Sequence, residues 1–163
     1  MYTSVNSQHI PLPKETAYWH MQTSVNNGDT LFTTNTYSQD FHLLETMVER
    51  ITVNEAQLSE YLVGSLDPAV QAKSVSGTVL KWKQSKQEIL SFSYEYSVGK
   101  NSYWCQKQRK WVGGPREQNF SESKVMAVSF RDSFIVKKNR KKVSSDQSYR
   151  FTHYASGIGF NLD

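Results

Sequence analysis

The sequence is poor in the residues that anchor small secreted or metal-binding proteins. It has one cysteine, Cys105, and four prolines among 163 residues. A single cysteine excludes an internal disulfide and a thiolate-rich metal site. It fits a reducing compartment, so we expect the protein in the cytoplasm, or in a host's cytoplasm if the gene is viral or mobile. Neither a secretory signal nor a long apolar run occurs, so we expect no membrane partner.

Sequence motifs for metal or nucleotide chemistry are missing as well. The four histidines, His9, His20, His42 and His153, are scattered, without HxH or HExxH spacing. No GxxxxGK[ST] phosphate loop occurs, and Cys105 has no obvious neighbouring base. We therefore expect no metal, no cofactor and no assigned catalytic residue.

Positive and negative charges are distributed unevenly along the chain: the N-terminal part has few basic residues, and the middle part has few acidic ones. Residues 1–72 carry two bases against eight acids, a net charge of −6. Residues 73–142 carry sixteen bases against five acids, a net charge of +11, and residues 143–163 add −1 to give the total of +4. Such a basic segment favours an anionic partner, because positive charge steers association with polyanions.

The N-terminal part predicts an arm followed by a hairpin. Pro11 and Pro13 forbid regular structure, which predicts an extended arm over residues 1–15. Apolar and polar residues then alternate, and Asn26-Asn27-Gly28-Asp29 supplies a turn that tolerates positive φ. Residues 16–37 are therefore predicted to form a β-hairpin.

Residues 38–73 are predicted to be helical. Apolar residues recur at helical spacing after the possible cap Ser38, at Phe41, Leu44, Met47, Val48 and Ile51. A Thr-x-x-Glu capping box at Thr52 and a stop at Gly64 delimit a second helix, and Asp67-Pro68 starts a short third one.

The acids of this helical stretch are expected on its solvent face. They are Asp40, Glu45, Glu49, Glu55, Glu60 and Asp67. The alternative is an acidic surface that docks on a basic protein or on the basic half of a second copy, which would give a homo-oligomer.

A period of two returns in residues 75–154 and predicts an antiparallel meander. Its clearest strand puts Leu90, Phe92, Tyr94, Tyr96 and Val98 on one face. No linker or repeat divides the chain, so residues 1–163 are predicted to be a single domain. The predicted class is α+β: an antiparallel sheet of about four to six strands, with the N-terminal hairpin and a helical pair packed on one face.

Basic and aromatic residues are interleaved between residues 81 and 111, and a basic turn follows at residues 139–142. A sheet face with cations and exposed rings suits a nucleic-acid strand. The predicted contacts are Lys81, Trp82, Lys83, Lys107, Arg109, Lys110, Trp111, Lys138, Arg140 and Lys141. We predict a non-enzymatic protein that binds RNA or single-stranded DNA, although strand aromatics also commonly fill a core.

Two other functions stay open from the sequence. One is a protein–protein interaction module, such as an inhibitor or assembly component of viral or mobile-element origin. The other is a small metal-independent ribonuclease, which needs a general acid, a general base and cations. Its candidates are His42 and His153 for proton transfer and Arg109 and Arg131 for binding phosphate.

Overall fold

The computed structural model describes residues 17–83, 85–120, 123–144, 150–155 and 161–162. These residues form antiparallel strands and turns and contain no helix, and so none that could span a membrane. The strands are β1 (Tyr18–Asn26), β2 (Asp29–Tyr37), β3 (Leu43–Ile51), β4 (Glu55–Val63), β5 (Val70–Gln71), β6 (Ser74–Lys81), β7 (Ile89–Val98), β8 (Asn101–Phe120), β9 (Ser123–Lys138), β10 (Lys141–Ser144), β11 (Arg150–Ala155) and β12 (Asn161–Leu162).

The strands form one hydrogen-bonded series that changes sheet at β6. The order is β1-β2-β3-β4-β6-β7-β8-β9-β11-β12, with β5 on β4 and β10 on β9. The first half of β6 pairs with β7, and its second half pairs with β4. Between the halves, Gly77 has φ 114°, and a Cβ there would lie 2.3 Å from the carbonyl oxygen of Ser91. Glycine is therefore required where the two sheets meet.

Two clusters of buried side chains pack between the sheets. One contains Leu58, Tyr61, Ala72, Val79 and Phe92, and the other contains Ala56, Leu80 and Phe130. Since the second cluster joins residues of β4, β6 and β9, the inner faces of the two sheets are in contact. Burying a side chain of this size stabilises the fold by roughly 1.5–3 kcal/mol.

At the N-terminal hairpin the prediction agrees with the structure. β1 and β2 pair from Tyr18 opposite Tyr37 to Asn26 opposite Asp29. The two turn residues between them, Asn27 and Gly28, have φ values of 49° and 86°, as a two-residue hairpin turn requires. The predicted arm over residues 1–15 lies outside the described residues.

The predicted α+β class is wrong, because the stretch predicted to be helical forms β3, β4, β5 and turns. In β3, Glu45, Met47 and Glu49 share the inner face, while Leu44 and Val48 lie on the other. Because acidic residues occupy inward positions and apolar residues occupy outward positions, the sequence of β3 does not show the apolar–polar alternation of a strand. The helical pair is therefore absent from residues 38–73, and the hydrogen-bonded series contains twelve strands within the described residues, where four to six were predicted.

A β-bulge produced the helical spacing in β4. Leu58 lies opposite Glu49 and Glu60 lies opposite Val48, so Ser59 is an extra residue. Leu58 and Tyr61 consequently face the same side although they are three residues apart. A helix places such a pair on one face too, so spacing alone could not separate the two structures.

The predicted capping box closes the turn between β3 and β4. The hydroxyl Oγ1 of Thr52 accepts from the N–H of Glu55 at 3.0 Å and lies 2.9 Å from its carbonyl oxygen. The same local bonds can begin a helix or close a turn. Gly64 does not end a helix but lies against β3, where a Cβ would be 2.7 Å from Cγ of Leu43.

Two of the later strands, β8 and β9, are long, with 20 and 16 residues. β8 contains two register shifts, between Trp111 and Gly113 and between Gly113 and Arg116, and continues to Phe120. β7 carries the predicted alternation, with Leu90 and Phe92 buried and Ser91 and Ser93 on the other face. β8 therefore offers two long faces, one between the sheets and one toward solvent.

Candidate functional site

The predicted contact residues of β8 divide between its two faces. Side chains alternate along the strand, so Lys107, Arg109 and Trp111 point between the sheets, while Lys110 is exposed on the other side. The guanidinium of Arg109 is buried, with the residue 5% exposed. The structure therefore does not bring these four side chains to one solvent-facing surface.

The other predicted contacts form two groups near the two opposite ends of β7. At one end, Lys81 pairs with Glu88, the indole N–H of Trp82 donates to the carbonyl oxygen of Thr52 at 3.0 Å, and Lys83 is exposed. The hydrogen bond to Glu88 raises the pKa of Lys81. At the other end, the β9–β10 turn carries the remaining three: Lys138, Arg140 and Lys141.

A group of charges lies between the inner faces of β3, β8 and β9, and we call it the inner ion cluster: Glu49, Lys107, Arg109 and Asp132. Nε and one terminal nitrogen of Arg109 each donate to a different carboxylate oxygen of Asp132 at 2.9 Å. The Nζ of Lys107 lies 2.9 Å from Oδ2 of the same carboxylate, which is fully buried. Two cations therefore converge on one carboxylate.

The electrostatics of Asp132 follow from these contacts. Burial alone would raise its pKa, but the hydrogen bonds from Arg109 and the positive charge of Lys107 outweigh burial and lower the pKa to about 2. Asp132 is therefore ionised at neutral pH. A bidentate guanidinium–carboxylate pair of this kind has a defined geometry as well as a favourable energy.

Glu49 is the unusual member of the inner ion cluster. The residue is 9% exposed, and no hydrogen-bond partner for its carboxyl group occurs in the described part of the chain. Burial raises its pKa to about 7, although the charges of Arg109 and Lys107 act to lower it. Glu49 is therefore a mixture of charged and neutral forms near neutrality, which is characteristic of functional carboxyl groups.

A row of stacked rings, the tyrosine row, lies beside the inner ion cluster. Successive ring centroids are 3.8, 6.3 and 5.0 Å apart along the series Tyr61, Tyr94, Tyr96 and Tyr103. The Tyr61 hydroxyl donates to the Glu45 carboxylate. Burial, reinforced by neighbouring acidic groups, raises the pKa of both Tyr61 and Tyr94, so these phenols stay protonated.

On the solvent side, two turns that are distant in sequence are joined by hydrogen bonds. The N–H of Asn139 donates to the carbonyl oxygen of Ser102 at 2.8 Å, and Oδ1 of Asn139 accepts from the N–H of Ser102 at 2.9 Å. Its Nδ2 also contacts Asn101 at 3.2 Å. The joined turns and adjoining strand ends form what we call the basic rim: Lys100, Lys137, Lys138, Arg140 and Lys141.

A shallow depression of about 350 Å³ opens between the cations of the basic rim. It is lined by Glu95, Ser102, Trp104, Lys137 and Arg140. The Nζ of Lys137 lies 4.5 Å from the centroid of the Trp104 ring, a cation–π contact that holds the ammonium group beside the indole. The depression therefore combines two cations, one aromatic ring and one carboxylate.

The sequence prediction omits seven of the residues that form these two sites. It places Glu49 on a helix surface, and it does not select Glu95, Lys100, Ser102, Trp104, Asp132 and Lys137. One signal was available for Asp132, because it is the single acid between residues 123 and 142 and shares the parity of Phe130 and Phe134. Nothing local could have joined Lys100 to Lys137, since the pairing of β8 with β9 brings them together.

The residues proposed for a ribonuclease do not assemble among the described side chains. Arg109 points inward, whereas Arg131 is exposed opposite Lys110 on the outer face. His42 is exposed in the turn between β2 and β3, and the backbone of His153 pairs with Ser129. The side chain of His153 lies outside the described part. Within that part, no three His, Cys, Asp or Glu side chains are grouped to hold a metal ion.

Comparison with protein-family models, curated proteins and solved structures finds no match to this chain.

Proposed function

We propose that the protein binds single-stranded nucleic acid, RNA or DNA, at the basic rim. The observation that carries the proposal is the concentration of five cations on two joined turns and their strand ends, where Lys137 and Arg140 line one depression with the Trp104 indole. Lys100, Arg140 and Lys141 are exposed, and Lys137 is half-buried against the ring of Trp104. Phosphate groups can pair with these cations and release bound counterions, which supplies most of the affinity in such complexes.

The aromatic ring in the depression favours a single strand over a duplex. A base in a duplex is already stacked between its neighbours, whereas an unpaired base can enter the depression and stack on Trp104. Stacking on a protein ring contributes about 1–3 kcal/mol per base. The phosphates on either side of that base would then face Lys137 and Arg140.

Glu95 adds selectivity at some cost in affinity. Its carboxylate lines the same depression as Trp104 and would repel phosphates, but it can accept a hydrogen bond from an exocyclic amino group of a base. Adenine, cytosine and guanine carry such a group, whereas uracil and thymine do not. We therefore expect oligo(A) and oligo(C) to bind more tightly than oligo(U).

A fluorescence anisotropy titration tests the proposal directly. A fluorescein-labelled RNA of about twelve nucleotides, within the range of known single-strand sites, is titrated at roughly 50 and 200 mM salt. The double variant Lys137→Ala/Arg140→Ala should bind about tenfold more weakly, because two exposed ion pairs contribute up to about 1 kcal/mol each. Its salt dependence should fall by about 1.4 in log–log slope, or about 0.7 for each phosphate that the variant no longer neutralises.

The matched control removes the same charge from the opposite end of β7. Lys83→Ala/Lys86→Ala also lowers the net charge by two and leaves the depression intact. It should bind RNA within about twofold of the parent protein, since long-range attraction is screened over roughly 10 Å at these salt concentrations. Equal losses in the two double variants, or RNA binding that does not respond to salt, would contradict the proposal.

A further inference from the structure

The inner ion cluster is a second concentration of charge, separate from the basic rim. Lys107 and Arg109 of β8 converge on the fully buried Asp132 of β9, so two positive charges surround one negative charge. Glu49 faces the two cations from β3 on the opposite sheet. The packing of the two sheets thus creates an interior whose net charge depends on the protonation of one carboxyl group.

Glu49 is buried without a hydrogen-bond partner among the described residues, and this calls for an explanation. Arg109 makes a bidentate contact with Asp132, and Lys107 contacts the same carboxylate. Glu49 has no hydrogen-bond partner among the described residues, although it is as buried as a core residue. A buried carboxyl group without a partner destabilises a fold, so a site that uses it is the usual reason for its presence.

The surroundings of the cluster combine apolar rings with limited access to water. The Nζ of Lys107 lies 5.9 Å from the ring centroid of Phe92 and 5.3 Å from that of Phe134. Its side chain is 13% exposed, so a water-sized probe reaches it. Phe134 and Met47, on the inner faces of the two sheets, are only half-buried. A positive group among partly covered apolar side chains suits a ligand with one anionic end and an apolar body.

We propose that the inner ion cluster binds an organic carboxylate with an apolar body, and that Glu49 takes up a proton from solvent when this ligand binds. The ligand's carboxylate would approach Lys107 and supply the negative charge that ionised Glu49 supplies in its absence. Neutral Glu49 has an O–H donor, which can bond to the ligand carboxylate in the low-dielectric interior. One proton and one ligand thus enter together, without a change in the net charge of the interior.

The other ionisable groups that face this interior do not take up the proton. Asp132 is held ionised by Arg109, and the two nearby phenols stay protonated. Glu45 already accepts hydrogen bonds from the hydroxyls of Thr36 and Tyr61. Among the described residues, the charges that act on Glu49 are those of Lys107 and Arg109 of β8. The same inner faces also carry Glu45, Tyr61, Tyr94, Asp132 and the thiol of Cys105, whose pKa burial raises.

Isothermal titration calorimetry tests both parts of the proposal. The probes are 1-naphthoate and dodecanoate at pH 7, with 1-naphthalenemethanol as the neutral analogue of the first. At least one carboxylate should bind, and the alcohol should bind at least about tenfold more weakly because it lacks the charge. Comparison of phosphate and Tris buffers should show net proton uptake on binding, because burial raises the pKa of Glu49 to about 7 and part of it is ionised before the ligand binds.

Two variants separate the charge contact from the proton. Glu49→Gln should bind the carboxylate without proton uptake, whereas Lys107→Met should lose about tenfold or more in affinity. The rim variant Lys137→Ala/Arg140→Ala should bind both probes as the parent protein does, which keeps this test independent of nucleic-acid binding. Glu49→Gln removes a buried charge and keeps the shape of the side chain, so it serves even where Lys107→Met does not fold.

Three results would overturn the proposal. The first is no heat of binding and no change in NMR spectra with either carboxylate up to millimolar concentration. The second is unchanged affinity in a folded Lys107→Met protein. The third is proton uptake that persists in Glu49→Gln, because another group would then be accepting the proton.

Discussion

Lys107 and Lys137 lie on neighbouring strands of the same sheet and have opposite environments. The ammonium group of Lys107 is 2.9 Å from the buried carboxylate of Asp132, while that of Lys137 lies 4.5 Å from the Trp104 ring at the edge of an open depression. The difference is a matter of strand parity, since β8 turns Lys107 inward and β9 turns Lys137 outward. A segment rich in basic residues therefore does not always form a basic surface, because some of its cations can form ion pairs in the interior.

The largest expected effect comes from removing the acid that the two inner cations share. Asp132→Asn removes the buried carboxylate that both Lys107 and Arg109 contact, so we expect a loss of about 3–5 kcal/mol in the free energy of unfolding. Urea unfolding monitored by circular dichroism measures it. The control is Glu117→Gln, which breaks an exposed pair with Lys124 and should cost less than about 1 kcal/mol. Similar costs for the two would erase the distinction between interior and surface.

Glu49 should give the fold an unusual dependence on pH. Because its pKa is raised from 4.5 to about 7 in the folded state, ionisation disfavours folding, and stability falls as pH rises through that interval. Glu49→Gln should match the parent protein below pH 4.5 and exceed its stability by on the order of 3 kcal/mol above pH 7. Unfolding in urea at a series of pH values measures the difference.

Asp132 acts in the opposite direction and at lower pH. Its pKa is lowered from 3.8 to about 2, so the stability it confers is present above 3.8 and is lost as pH falls toward 2. Both the parent protein and Glu49→Gln should share this acid limb. A constant difference between the two proteins from pH 4 to pH 8 would show that Glu49 is not titrating in the interior.

Two tryptophans of β8, one on each face, allow the outer and inner faces to be compared by their effects on RNA binding and on stability. Trp104→Leu should weaken RNA binding by about 1–3 kcal/mol, or roughly 5- to 150-fold, because the stacking ring is removed. Trp111 packs edge-on against Phe130 on the inner side, at a centroid distance of 5.8 Å. Trp111→Leu should instead reduce stability by about 2 kcal/mol and leave RNA affinity unchanged. The reverse pattern would mean that the inner face meets the nucleic acid.

The smallest effect is expected at the one acid of the depression. Glu95→Gln removes a negative charge beside Lys137 and Arg140, so RNA binding should strengthen about two- to fivefold, equivalent to roughly 0.5–1 kcal/mol. Anisotropy titration with oligo(A) and oligo(U) measures the change and any loss of discrimination between them. Unchanged binding to both would place Glu95 outside the contact surface.

The fold was predictable where the local pattern and the tertiary role agreed. The Asn27–Gly28 turn and the alternation of β7 identified strands correctly, because positive φ and apolar alternation are properties of short segments. The prediction failed in β3 and β4 for a tertiary reason. Glu49 occupies an inward position that faces the cations of β8, and a bulge at Ser59 shifts the parity of β4. A local sequence pattern gives no information about which strand will pack opposite it.

The candidate sites show the same limit. Arg140 and Lys141 were predicted because basic turns are usually exposed, and they lie in the basic rim. Lys107 and Arg109 were grouped with them because they belong to the same run of basic residues, yet Asp132 holds both in the interior. Trp104 was passed over, although pairing of β8 with β9 places it beside Lys137.

By itself, the amino-acid sequence determined the uneven distribution of charge along the chain, the tight turns and the strands with simple alternation, because these depend on neighbouring residues alone. Only the tertiary structure decided which cations would be buried and which would meet solvent. The physical reason is that the environment of a strand side chain depends on the parity of its position and on the strands packed opposite it. Both are set by pairing between residues that are far apart in the chain, as Arg109 and Asp132 are.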